Sequence, residues 1–132
     1  MNPPKNPPKN SKGINIPCTK DNFYRLYLTF LCPLHKLTSK SIEVAAELLK
    51  ERKRLSKVIK DPVILYKNLF GPETKTLITQ RCDITSSNYY VVIGKLKKAG
   101  FILNDSINPR FIPDYSCEDN NYHLHIMFNI NG

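Results

Sequence analysis

The segment of this chain that most constrains its fold is residues 85–104, TSSNYYVVIGKLKKAGFILN. Thr85 or Ser86 has a side chain suited to capping a helix, and the apolar spacing predicts that helix over residues 86–99. Gly100 can adopt the left-handed backbone that ends a helix. The apolar residues after it predict a strand. The segment therefore predicts a helix joined to a strand through a glycine cap.

The helix predicted here has two faces of different character. At 100° per residue, its inward positions are Tyr89, Val92, Ile93 and Leu96. Its outward positions are Ser87, Asn88, Tyr90, Val91, Gly94, Lys95 and Lys98. Tyr90, Val91 and Gly94 form an uncharged strip, which we call the α5 strip. Such a strip suits contact with an apolar protein surface better than contact with phosphates. Two other interpretations stay open: the strip packs beneath the amino-terminal helix of the chain, or it faces DNA.

Upstream, capping residues and apolar spacing predict further helices. The first begins at Thr19 or Asp21 and ends near Pro33, a strand being the alternative for this aromatic stretch. The second begins at Thr38 or Ser39. It ends in a basic cluster of Lys50, Arg52, Lys53, Arg54 and Lys57, for which a solvated face and a polyanion contact are the two interpretations.

Two shorter helices are predicted between the basic cluster and residue 85. The first begins at Asp61 and Pro62 and ends before Gly71. The second carries Leu77, Ile78 and Cys82 inward and is followed by a tight turn at Asp83.

Strands are predicted after the glycine cap. FILND is a strand, residues 104–106 are a turn, and INPRFIP is the return strand. The carboxyl-terminal YHLHIMFNI alternates apolar and polar residues, which predicts a strand that extends the same sheet.

Residues 1–17, MNPPKNPPKNSKGINIP, predict an extended arm rather than part of the core. The doubled Pro-Pro-Lys-Asn unit fixes φ repeatedly and offers few side chains to bury. We expect the arm to bind a partner, with a solubilising tail as the alternative. Its candidate partner-binding residues are Pro3, Pro4, Lys5, Pro7, Pro8 and Lys9.

Length and charge narrow the class of protein. A chain of 132 residues allows one domain with a core. Its net charge of +9 favours nucleic acid or acidic protein surfaces as partners. No apolar run approaches the roughly 20 residues that cross a bilayer, and the amino terminus lacks the apolar stretch of a secretory signal. We therefore expect no membrane partner and no export by that route.

Catalysis is not expected. The sequence has no glycine-rich phosphate loop, no nucleophile with a base beside it, and no paired carboxylates. Its four cysteines are scattered, and Cys82 is explained by burial. Cys117 with His123 and His125 is too small a ligand set for a metal, so an exposed strand face explains these residues better. We expect no cofactor, metal or small-molecule substrate.

Residues 75–113 resemble the winged helix-turn-helix family, in which a helix, a turn and a second helix precede a two-stranded wing. Ile93, Leu96, Gly100, Phe101 and Ile102 match the end of the second helix and the start of the wing. The resemblance implies an α+β fold: a mainly helical winged helix-turn-helix domain over residues 18–132, with a small antiparallel wing sheet and the extended amino-terminal arm.

The same resemblance implies a set of DNA-binding residues. A winged helix reads DNA with the second helix in the major groove. In this chain Ser87, Asn88 and Lys95 would enter the groove, and Lys98 and Arg110 would contact phosphates.

Over most of its length the chain also resembles small proteins of crAss-like phages of gut Bacteroidota. The resemblance lies in LTSKSIEV and INPRFIP, which flank the helix-turn-helix segment. It implies a phage-encoded protein that is either a regulator or part of the particle. We expect a non-enzymatic structural protein, a capsid auxiliary of the virion, that docks through its arm and the α5 strip. The alternative is a sequence-specific transcription regulator bound to duplex DNA. Either one is expected in the virion or the host cytoplasm.

Overall fold

The structure, a computed structural model, describes residues 11–19, 22–30, 37–113 and 122–129. Its helices are α1 (Phe23–Phe30), α2 (Ser39–Ser56), α3 (Pro62–Leu69), α4 (Pro72–Arg81) and α5 (Ser86–Lys98). Its strands are β1 (Ser11–Cys18), β2 (Ile102–Leu103), β3 (Ser106–Ile107) and β4 (Tyr122–Asn129), and a 3-10 turn covers Pro109–Phe111. The predicted α+β class, mainly helical with a small antiparallel sheet, is confirmed.

Short capping side chains begin three of the helices. Thr38 accepts a hydrogen bond of 3.2 Å from the Ser41 N–H at the start of α2. Asp61 caps α3 and Thr85 caps α5 in the same way. These three helix starts agree with the sequence prediction, because a cap needs only residues that are close in sequence.

The core is built around α2, on which α1, α3, α4 and α5 pack. Its fully buried side chains include Leu28, Val44, Leu48, Leu69, Ile78, Leu96, Phe101 and Ile107. Fully burying one such side chain stabilises a fold by about 1.5–3 kcal/mol. This shared core fixes the orientation of α3 and α5, the two helices that form the candidate site.

A buried carboxylate ties α2 to α4. Glu51 is 1% exposed, and its oxygens lie 2.7 Å from Arg54 and 3.0 Å from Arg81. Burial by itself raises the pKa of Glu51, but the hydrogen bonds and charges of the two arginines outweigh burial and hold that pKa below its ordinary value. Part of the basic cluster predicted at the end of α2 is therefore engaged within the protein.

Strands β2 and β3 form a short hairpin directly after α5. Ile102 pairs with Ile107, and Leu103 with Ser106. Asn104 and Asp105 have φ of 50° and 59°, the left-handed backbone of the two-residue turns that connect such hairpins. Gly100 has φ of 82°, so it ends α5 as predicted.

Two predictions about the ends of the chain are wrong. Residues 11–17 do not continue the arm but lie in β1, which pairs antiparallel with β4 from Ser11–Asn129 to Cys18–Tyr122. The final strand consequently does not extend the wing sheet. The wing strands are two residues long, whereas β1 offers β4 an eight-residue partner that satisfies more backbone hydrogen bonds. The alternating Ile14 and Ile16 were a sequence signal for β1.

One further segment is shorter than predicted. Within INPRFIP only Ile107 is in a strand, and the chain then forms the 3-10 turn, where the side chain of Asn108 accepts a hydrogen bond from the Arg110 N–H. Pro109 has no N–H to donate to a strand ladder, which explains the change. Helix α1 covers Phe23–Phe30, and its predicted end near Pro33 lies outside the described residues.

Candidate functional site

The α5 strip faces solvent, as the sequence predicts. Tyr90 is 61% exposed and Val91 is 54% exposed. A Cβ atom added at Gly94 would meet nothing within 4 Å. Tyr89, Val92 and Leu96 are buried on the opposite face. The strip therefore does not pack beneath the amino-terminal helix.

Contacts from two neighbours hold the exposed ring of Tyr90. The Lys75 ammonium lies 4.9 Å from the ring centroid and donates a hydrogen bond of 3.2 Å to the Tyr90 hydroxyl. The ring of Tyr89 meets that of Tyr90 edge to face, with centroids 5.7 Å apart. The exposed aromatic ring is thus positioned by both α4 and α5.

An open groove of about 750 Å³ lies beside the strip, between α3, α5 and the β2–β3 turn. Helix α5 contributes Tyr90, Ile93 and Lys97 to one wall, and the buried Tyr89 and Ile102 also line it. Residues 104–106 of the β2–β3 hairpin line it as well. The volume is within the range of about 300–1,000 Å³ that is typical of binding pockets.

Helix α3 forms the second wall, which the sequence analysis missed. Val63, Tyr66 and Phe70 line the groove at positions i, i+3 and i+7, and Val63 is 76% exposed. Leu65 and Leu69 already anchor α3 in the core. The surplus of apolar residues in PVILYKNLF, beyond those two, was the signal for a second apolar face.

Lysines dominate the charge around the groove. Lys67 lines the α3 wall and Lys97 the α5 wall, both exposed, and Lys75 lies against Tyr90. Neither Lys67 nor Lys97 forms an ion pair within the part of the chain that the structure describes. Asp105 is the one acidic residue that lines the groove there. The apolar interior is therefore surrounded by net positive charge.

The predicted DNA-binding residues are accessible but belong to two elements. Ser87, Asn88, Lys95 and Lys98 are exposed on α5. Arg110 is exposed on the 3-10 turn, with its guanidinium 5.6 Å from the Phe111 ring centroid. Four of the five predicted residues therefore lie on one helix.

Most residues of the other predicted sites lie outside the part of the chain that the structure describes. The arm residues Pro3, Pro4, Lys5, Pro7, Pro8 and Lys9 lie outside the described residues, as does Cys117. Across residues 11–19, 22–30, 37–113 and 122–129, no three His, Cys, Asp or Glu side chains are grouped to hold a metal. Within the same ranges no helix has both the length and the apolar character to cross a membrane.

Cys82 is buried at the end of α4, as predicted. Burial, together with the nearby carboxylates of Glu47 and Glu43, raises the pKa of its thiol to about 11. A neutral, enclosed thiol is a poor nucleophile, so Cys82 has a packing role.

Comparison of the chain with protein-family models, with curated proteins and with solved structures finds no match.

Proposed function

We propose that this protein is a non-enzymatic interaction module of the winged-helix type, which docks on a larger protein assembly. The docking face consists of the α5 strip and the groove between α3 and α5. The observation that carries this proposal is a largely apolar groove lined by Tyr90, whose ring is exposed, with Val91 exposed at the next position of α5.

The composition of this face distinguishes it from ordinary surface. Single exposed apolar residues are normal, but a contiguous apolar patch next to a cleft is typical of an interaction site. Tyrosine is also enriched among the residues that dominate binding energy at protein interfaces. Covering the exposed parts of Tyr90 and Val91 would contribute roughly 1–2 kcal/mol for each side chain before the costs of association.

The order of elements supports a winged-helix assignment. Helices α4 and α5, joined through a turn at Asp83, are followed at once by the β2–β3 hairpin. On the strength of the sequence resemblance, we take the assembly to be a phage particle and the protein to be a capsid auxiliary. It would be found in the virion, and in the host cytoplasm before assembly. Residues 1–10 would provide a second contact.

A sequence-specific DNA-binding regulator is the second candidate. It is favoured by the exposure of Ser87, Asn88, Lys95 and Lys98 along one side of α5. The exposed lysines suit phosphate contact, and an asparagine can pair with adenine in the major groove.

Selection of the full chain against a library of random DNA duplexes separates the two candidates. The docking proposal predicts no recurrent sequence, only weak binding that falls steeply with salt. Binding of random duplex should be the same for Val91→Ala as for the unaltered chain. A recurrent sequence, bound at least about 10³-fold more tightly than random DNA and weakened by Asn88→Ala or Lys95→Ala, would instead establish the regulator.

A further inference from the structure

We propose that the groove between α3 and α5 receives an acidic amphipathic helix of the partner protein. This inference rests on the proposed docking function and adds the chemistry of the partner. The shape, the polar groups and the charge of the groove each support it.

The two walls have helical spacing. Val63, Tyr66 and Phe70 line one wall, and Tyr90, Ile93 and Lys97 line the other, each set at i, i+3 and i+7. Seven residues of helix rise by about 10 Å, or two turns. A groove of that length suits a helix that inserts apolar side chains from positions i, i+3 or i+4, and i+7.

Two of the tyrosine hydroxyls that line the groove already have partners. The Tyr66 hydroxyl accepts a hydrogen bond of 3.0 Å from Arg52 Nε, and the Tyr90 hydroxyl accepts one of 3.2 Å from Lys75. A site for a small polar ligand usually offers a few convergent polar groups. Val63, Phe70 and Ile93 line the groove together with the tyrosine rings, which favours apolar side chains as the occupant.

The charged residues around the groove indicate the kind of helix that fits it. Lys67 and Lys97 line opposite walls of the groove, with Asp105 as the acidic lining residue, and Lys75 lies beside Tyr90. A partner with Glu or Asp flanking its apolar residues would complement these lysines and associate faster.

A proline-rich peptide is the competing occupant, because such peptides bind aromatic-lined grooves. The chain's own residues 1–10 contain Pro3, Pro4, Pro7 and Pro8. They also carry Lys5 and Lys9 without an acidic residue, so they would bring like charge to the lysines of the groove.

The test uses displayed helical 16-residue peptides with fixed apolar positions and randomised charges, selected against the full chain. A synthetic peptide of residues 1–10 is measured beside them. We expect the enriched peptides to be net acidic. Their affinity should fall at least about 10-fold with Val63→Glu, which puts a carboxylate on the apolar wall. The same loss is expected with the double change Lys67→Glu and Lys97→Glu, with recovery when the peptide carries Lys in place of Glu.

Lys57→Glu provides the control, because Lys57 is exposed and lies outside the groove. It changes the net charge by as much as each of the two lysine substitutions in the groove, and it should alter the affinity for the peptide by less than about 2-fold. Either of two results would overturn the acidic helix while leaving the docking proposal intact. One is the enrichment of basic peptides whose binding is lost on Val63→Glu. The other is tighter binding of the 1–10 peptide that is lost on the same change. No enriched peptide, together with a recurrent DNA sequence in the duplex selection, would overturn both proposals.

Discussion

Lys75 and Tyr90 couple α4 to α5 at the edge of the candidate site. The ammonium lies 4.9 Å from the ring centroid and 3.2 Å from the hydroxyl that it hydrogen-bonds. An exposed pair of this kind contributes only about 0.5–1 kcal/mol. It also restricts a ring that is 61% exposed, so that less side-chain freedom is lost when a partner covers it.

Lys75→Ala should therefore affect binding more than stability. We expect the free energy of unfolding in urea to fall by no more than about 1 kcal/mol, and the affinity for a groove-binding peptide to fall several-fold. Lys95→Ala is the matched control, since Lys95 is exposed on α5 but does not line the groove. Equal losses of peptide affinity in the two variants would contradict a specific role for the Lys75–Tyr90 contact.

Gly94 and Gly100 should respond in opposite directions to alanine. Gly94 lies inside α5 with open space around it, so Gly94→Ala should stabilise the fold by up to about 1 kcal/mol. Gly100 has φ of 82°, so Gly100→Ala should destabilise by about 1 kcal/mol or more. Thermal or urea unfolding of the two variants measures this. A destabilising Gly94→Ala would show that the strip is not open to solvent.

Glu51→Gln should lower the free energy of unfolding by about 2 kcal/mol. Losing one partner of a fully buried ion pair costs about 3–5 kcal/mol, but both arginines here are partly exposed and can turn to water. Glu43→Gln is the control: the exposed Lys40–Glu43 pair, 3.3 Å apart, should contribute less than about 0.5 kcal/mol.

The stability difference between Glu51→Gln and the unaltered chain should depend on pH. Arg54 and Arg81 hold the pKa of Glu51 below its ordinary 4.5 despite burial, so the charged carboxylate stabilises the folded state. This contribution is complete above pH 4.5 and is lost as the pH falls through the lower pKa of the folded state. Urea titrations from neutral to acid pH should show the difference shrinking; a difference that grew on acidification would contradict the assignment.

Cys82 should resist alkylation until the protein unfolds. With its pKa near 11, the fraction of thiolate at pH 8 is about two orders of magnitude below that of a free cysteine. Iodoacetamide labelling followed by peptide mass spectrometry should show Cys82 unmodified in buffer and modified in denaturant. Ready modification in buffer would place Cys82 at the surface.

Local signals explain what the sequence could predict. The caps at Thr38, Asp61 and Thr85 and the left-handed Gly100 depend on neighbouring residues, and the faces of α5 follow from helical geometry. The pairing of Ser11 with Asn129 joins distant parts of the chain, which local patterns do not predict. The prolines of the amino terminus favoured the prediction of an unpaired arm instead. The α3 wall was missed for a similar reason. Whether the apolar Val63 lies in the core or lines a groove depends on how α3 packs on α2, which the local sequence does not specify.

Photo-crosslinking from position 91 tests the docking face most directly. Val91 is replaced by benzoylphenylalanine in the cell that carries the gene, and Gln80, exposed on α4, is replaced in a control. We expect irradiation at position 91 to give a protein adduct that protease removes and nuclease does not. Val63→Glu should diminish the adduct, and position 80 should give none. An adduct at position 91 that nuclease removes, or equal protein adducts at both positions, would contradict the assignment of α5 as a protein-docking helix.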